Sequence, residues 1–115
     1  MSYDIQLVCS HCNNTLSLDE EFKYAHGGGT WHCDTNFTWN YSKDYYKAID
    51  GEKGIRAIYG LTGQEALPLL ENAIKVLGTK IHVDGWKDTP GNAGNALLAL
   101  IAFAKKHPQG IFQGD

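Results

Sequence analysis

Three groups of residues have types and spacings that could do chemistry. The first is Cys9-Ser10-His11-Cys12-Asn13. Two cysteines separated by two residues can fill two corners of a zinc tetrahedron, and asparagine tolerates the left-handed backbone that such a turn uses. Two more ligands would have to close the site. Cys33 and His32 are adjacent and fall on opposite faces of an extended segment, so one of them can point at the metal, with His26, His11 or Asp34 completing the set. Read without a metal, the same residues are reduced thiols on a turn, and no cofactor is required.

The second group centres on Arg56, the single arginine, in Gly54-Ile55-Arg56-Ala57-Ile58-Tyr59-Gly60. A guanidinium fork matches a phosphate or carboxylate bidentately, and flanking glycines let a ligand approach the backbone. The alternative is a salt bridge to one of the 13 acids. The third group is Thr89-Pro90-Gly91-Asn92-Ala93-Gly94-Asn95, where a helix start offers free amides to an anion and places Asn92 and Asn95 on one face. It reads equally well as a capped helix whose glycines permit close packing.

Aromatic residues connect these groups. The chain has 3 Trp, 6 Tyr and 4 Phe, and eight of them lie between Phe22 and Tyr46. Phe37 and Trp39 suit the core face of a sheet. Tyr41, Tyr45 and Tyr59 each carry a hydroxyl that needs a partner, and a wall of such rings could stack on a planar ligand. The combined reading is a site for a small anionic ligand with an aromatic or sugar part, built from Arg56, Trp39, Tyr41, Tyr45, Tyr59, Asn92 and Asn95.

Other chemistries find no motif. There is no Gly-x-Ser-x-Gly elbow, no phosphate-binding loop of the nucleotide-hydrolase kind and no paired-carboxylate spacing, so a binding protein is expected rather than an enzyme. The formal charge is −3 and no Lys/Arg run exceeds Lys105-Lys106, which argues against binding nucleic acid. The longest apolar run, Ala96 to Ala104, falls well short of the roughly 20 residues a membrane-spanning helix needs. The segment Tyr3 to Val8 follows no basic, leader-like stretch, so a cytoplasmic protein is expected.

The elements that must position these residues follow from periodicity and punctuation. Alternation at Ile5, Leu7, Leu16 and Leu18 predicts a β-hairpin over 3–18 turning at Cys9 to Asn14. A further strand is expected at 22–26, broken by Gly27-Gly28-Gly29, and alternation resumes over 30–41. Ser42 is expected to cap a helix to Ile49, and Thr62 with Glu65 to form a capping box. The helix that follows is expected to kink or start late at Pro68 and to end at Gly78. Thr89-Pro90 opens the last helix, which runs to about Lys106. The fold class is α+β, one domain over 1–115: β-rich 1–41, helical 42–107, and a tail or edge strand at 108–115. Because the 90–106 helix is apolar all round through its middle, a homo-oligomer packed through it is expected.

The stretches Trp39-Asn40-Tyr41-Ser42, Gly54 to Gly63, Thr89 to Leu97 and His107-Pro108-Gln109-Gly110 resemble a group of small uncharacterised phage and prophage proteins. The likeness runs from about residue 30 onward. Family members carry a plain turn in place of Cys9 to Cys12, so the zinc reading rests on this chain's residues alone. In outline the chain is similar to small phage proteins that sequester host immune nucleotides. The resemblance implies an oligomer binding an ADP-ribose-type or cyclic nucleotide in the host cytoplasm during infection, with Arg56 on phosphate, tyrosines on the base, and Asn92 and Asn95 on ribose or a second phosphate. A phage structural or protein-interaction module with a zinc knuckle, and a small nucleotide hydrolase, are the alternatives.

Overall fold

A computed structural model describes residues 2–115. The order is β1 (Ser2–Val8), β2 (Ser17–Lys23), β3 (Gly29–His32), β4 (Asp34–Thr38), α1 (Ser42–Ala48), α2 (Gly63–Leu77), α3 (Pro90–Lys106) and β5 (Ile111–Gly114). Short 3-10 turns occupy Trp39–Tyr41 and Gly54–Ile58. The class is α+β, as the periodicities require.

The strands form two antiparallel sheets, one in the order β4-β1-β5 and the other a β2-β3 pair. This corrects the hairpin expected over 3–18. The turn at Cys9 to Asn14 exists, but β1 and the following chain stay together through the Val8–Thr15 bridge and a few bonds beside it, among them that from Leu16 N–H to the Leu7 carbonyl. β1 instead takes β4 on one side, with Tyr3 opposite Phe37, and β5 on the other, with Leu7 opposite Phe112. All four of these side chains are buried. β1 has the apolar face a central strand needs, whereas Asp19-Glu20-Glu21 in β2 cannot cover a core. The expected strand at 22–26 is the end of β2, which stops at Lys23. The alternation over 30–41 divides at Cys33 into β3 and β4 and then tightens into the 3-10 turn.

Helix α1 follows that turn without a break, so the cap belongs to Thr38, whose hydroxyl accepts from Asn40 N–H, and not to Ser42. α2 has the expected capping box: Glu65 N–H donates to the Thr62 hydroxyl at 3.1 Å, and Thr62 N–H donates to the Glu65 carboxylate at 3.0 Å. It starts at Gly63 and continues through Pro68. α3 is capped by Thr89, whose hydroxyl accepts from Asn92 N–H at 3.1 Å, a bond of a kind that contributes about 1 kcal/mol.

The glycines at the start of α3 serve packing. A Cβ on Gly94 would lie 1.8 Å from the Gly78 carbonyl oxygen, and one on Gly91 would lie 1.9 Å from that of Lys80. The helix therefore rests directly on the chain leaving α2, as the close-packing alternative required. Its own chain also encloses it. Leu97, Leu100, Phe103 and Ala104 are fully buried, and Phe22 of β2 packs edge-on against Phe103 at 6.4 Å. The oligomer expected through residues 90–106 has only Ala96, Leu98 and Ala102 as half-exposed apolar positions to build on. No helix among the described residues is long and apolar enough to cross a membrane.

Candidate functional site

The residues singled out in the sequence divide into two places that meet at Asp115. In the first, Arg56 and Tyr59 leave the 3-10 turn toward the end of β5. Arg56 Nε donates to the main-chain oxygen of Asp115 at 2.9 Å, and the Tyr59 hydroxyl donates to the same oxygen at 3.2 Å. The guanidinium carbon lies 4.9 Å from the Trp39 ring centre and 5.2 Å from that of Tyr3, and those two rings stack at 4.7 Å. A cation over aromatic faces is held electrostatically by the ring quadrupoles. Burial pushes the Tyr59 hydroxyl up to about 12 against the pull of Arg56, so it remains a donor at neutral pH. Arg56 and Trp39 are half-buried. Nε is occupied, and among the described residues the outer Nη groups have no hydrogen-bond partner in the chain, leaving an edge that an anion could use.

The second place is a cleft of about 1090 Å³ between β4, the β2–β3 hairpin, the chain around Gly85-Trp86 and the start of α3. Tyr41, Asn92 and Asn95 line it, and so do Gly114 and Asp115, which joins it to the Arg56 cluster. Its ionisable lining is Asp4, Asp34 and Asp115 against Lys23 and His26. One end is fastened where His26 Nε2 lies 2.6 Å from the His82 carbonyl oxygen. Trp86 is 73% exposed at the rim.

Several expected ligand contacts are spent inside the fold. Asn92 is buried, accepts from His82 N–H at 2.9 Å and donates to the Asp84 and Lys87 carbonyls, each at 3.0 Å. Asn95 donates to the Thr79 carbonyl at 3.2 Å. Both amides anchor the chain between α2 and α3, which leaves Asn95 its oxygen and one N–H to offer a ligand. Tyr45 is a core residue: it is fully buried, donates to the Ala93 carbonyl at 2.9 Å and packs edge-on to Tyr3 and Tyr41. Tyr41 is 6% exposed and donates to the Gly85 carbonyl, so it forms a wall of the cleft without an open face.

The cysteines separate as well. Cys9 and Cys12 stay together on the turn, where His11 N–H donates to Cys9 Sγ at 3.4 Å. Amides of Cys12 and His11, then the Cys12 side chain, lower the Cys9 thiol from its ordinary range. Cys33 is fully buried, and burial pushes its thiol up to about 11, the reverse of what a thiolate ligand needs. His32 is exposed, with Nδ1 3.5 Å from the Ser17 hydroxyl. Among the described residues no three His, Cys, Asp or Glu side chains converge on a point, so the set Cys9, Cys12, Cys33 and His32 is not assembled. β3 and β4 turn Cys33 into the core, while the other two thiols stay at the surface.

Sequence reasoning missed a pair of carboxyls. Asp44 of α1 and Asp88, just before α3, are neighbours, and Asp44 is 6% exposed. Among the described residues one oxygen of each, Asp44 Oδ2 and Asp88 Oδ1, is buried without a hydrogen-bond partner. Burial, then the proximity and charge of Asp88, raises Asp44 to about 6. Burial also opposes the charge on Asp88, but Asp44 and Lys43, whose Nζ lies 2.9 Å away, hold it low. Asp44 sits in Ser-Lys-Asp-Tyr-Tyr-Lys-Ala, where its lysine neighbours read as a solvated face, so no sequence signal marks it. No protein-family model matches the chain, and comparison with curated proteins and with solved structures finds no match.

Proposed function

We propose that the protein binds and sequesters a small nucleotide-class molecule, with its ring and sugar in the cleft and its phosphate at Arg56. The observation that carries this reading is Asp115, which lines the cleft and whose main-chain oxygen accepts from Arg56 Nε. The cleft is of the size that small-molecule sites have. Its carboxylates disfavour a phosphate within it, because like charges held close in a partly desolvated space repel. Arg56 lies beyond them, stacked on Trp39 and presenting its outer nitrogens. Trp86 at the rim, the Asn95 oxygen and Asn36 on the cleft wall supply a stacking surface and hydrogen bonds for base and ribose.

The resemblance to phage and prophage proteins gives this reading its setting. There the captured molecule is a host immune signal of the ADP-ribose or cyclic-nucleotide type, taken up in the host cytoplasm during infection. Calorimetry against a panel of such nucleotides tests the reading, with Arg56→Ala expected to weaken binding at least about tenfold through loss of a charge-assisted contact. Absence of heat with every ADP-ribose derivative and cyclic dinucleotide would refute it. Product formation during the same incubation would replace binding by hydrolysis.

A second reading, a protein-interaction module, is favoured by one observation. β4 has a single strand neighbour, β1, and residues 34–38 line the cleft. An unpaired strand edge is a template for an extended peptide, and the acidic lining suits a basic one. Binding of a basic peptide insensitive to Arg56→Ala would select this reading.

A further inference from the structure

The turn between β1 and β2 carries a chemistry that the nucleotide reading does not use. Asn13 N–H donates to the Cys9 carbonyl at 2.9 Å, and Cys9 N–H donates to the Asn14 carbonyl at 2.9 Å. Asn13 takes the left-handed conformation, φ 63°, that closes the turn, and Gln113 of β5 donates to its side-chain oxygen at 2.7 Å. This clamp holds Cys9 and Cys12, three apart, on one tight turn. Residues three apart across a turn have Cα atoms within about 7 Å, the reach of a disulfide. The Cys9 sulfur accepts from His11 N–H as an N-cap oxygen would, an arrangement that favours the thiolate. Cys12 is exposed and Cys9 half-buried, so a small molecule reaches the pair from solvent. Cys33, inside the core, does not compete.

We propose that Cys9 and Cys12 form a redox-active dithiol that exchanges with low-molecular-weight disulfides. The Cys9 thiolate attacks one sulfur of a disulfide R–S–S–R, forming Cys9–S–S–R and releasing RS⁻. The Cys12 thiol gives its proton to solvent and its thiolate attacks Cys9 Sγ, forming the Cys9–Cys12 disulfide and releasing the second RS⁻. The protein loses two electrons and two protons, and the small disulfide is reduced to two thiols. The geometry favours the second step over release of the first intermediate, because the turn holds the attacking cysteine within three residues of its target.

The chain is reduced, freed of reductant and incubated with glutathione disulfide; one portion is titrated for thiols and another is alkylated and digested. Thiols titrated in denaturant are expected to fall from the three free cysteines of the reduced chain to one. The tryptic fragment 1–23, which holds Cys9 and Cys12 but not Cys33, is expected to have lost two hydrogens and to carry no glutathione. Cys12→Ser is expected to stop at the mixed disulfide, with one glutathione on Cys9. Persistence of all three thiols in the wild type, or glutathione retained on fragment 1–23 without an internal bond, would overturn the proposal. Because the readout is covalent mass, it stands or falls independently of nucleotide binding.

Discussion

Replacing Asp44 by Asn tests the buried carboxyl pair where its energetics are clearest. At low pH Asp44 is a neutral acid beside Asp88, and an asparagine is neutral in the same place. At neutral pH the wild type must ionise a buried group beside a second carboxylate, and the asparagine need not. Raising a carboxyl from its ordinary 3.8 to about 6 corresponds to about 3 kcal/mol, reduced to about 2 kcal/mol by partial solvation of the pair. The sign follows from linkage. A carboxyl whose folded-state value is raised contributes stability that is full below its unfolded value and is lost as pH rises through the folded one. The wild type therefore loses stability between about pH 4 and pH 6, and Asp44→Asn escapes that loss. Urea unfolding of both proteins from pH 4 to pH 8 should give curves that converge at the acid end. At pH 8 the variant should be about 2 kcal/mol more stable. Parallel curves across the range would refute the raised Asp44 carboxyl, as would a variant less stable at pH 8 than the wild type.

Two further substitutions probe the supports of the cleft. Gly94→Ala drives a methyl into the Gly78 carbonyl oxygen, which is backbone and cannot rotate away. It should lower stability by about 1–3 kcal/mol, read as a fall in Tm. Tyr45→Phe leaves the core volume filled but removes the bond to the Ala93 carbonyl, and should cost about 1 kcal/mol in urea unfolding with nucleotide affinity unchanged. A loss of affinity without a loss of stability would return Tyr45 to the binding site.

What the sequence disclosed depended on whether a feature is local. Thr62 with Glu65, and Thr89 before Pro90, set their helix starts within one turn of chain, and both are found as read. Strand pairing is not local. The hairpin expected at 3–18 was the nearest partnership the alternation allowed, and it lost to β4 and β5, which bring buried Phe37 and Phe112 to β1. The candidate site split for a similar reason. Arg56, Trp39 and Tyr59 do meet, but Tyr45 and Asn92 were chosen for side-chain chemistry that the fold had already consumed in contacts 48 residues apart for Tyr45 and 10 for Asn92. Burial of Asp44 against Asp88 has the same character, since its cause lies 44 residues further along and in no local pattern.

The central position of β1 also bears on how the chain is made. Neither neighbour of β1 is adjacent to it in sequence, and the register of Ile5 with Gly114 closes a loop over nearly all of the described residues. At ordinary translation rates of about 5–20 residues per second, β1 leaves the ribosome roughly 5–20 s before β5 exists. Throughout that interval one whole edge of β1 is unpaired, with Ile5, Leu7 and Val8 bare beside it. The nascent protein is thus exposed to self-association along β1. β5, made after its sheet partners, acts as a clasp, and a ribosome stalled before residue 111 would present an adhesive edge to every neighbouring copy.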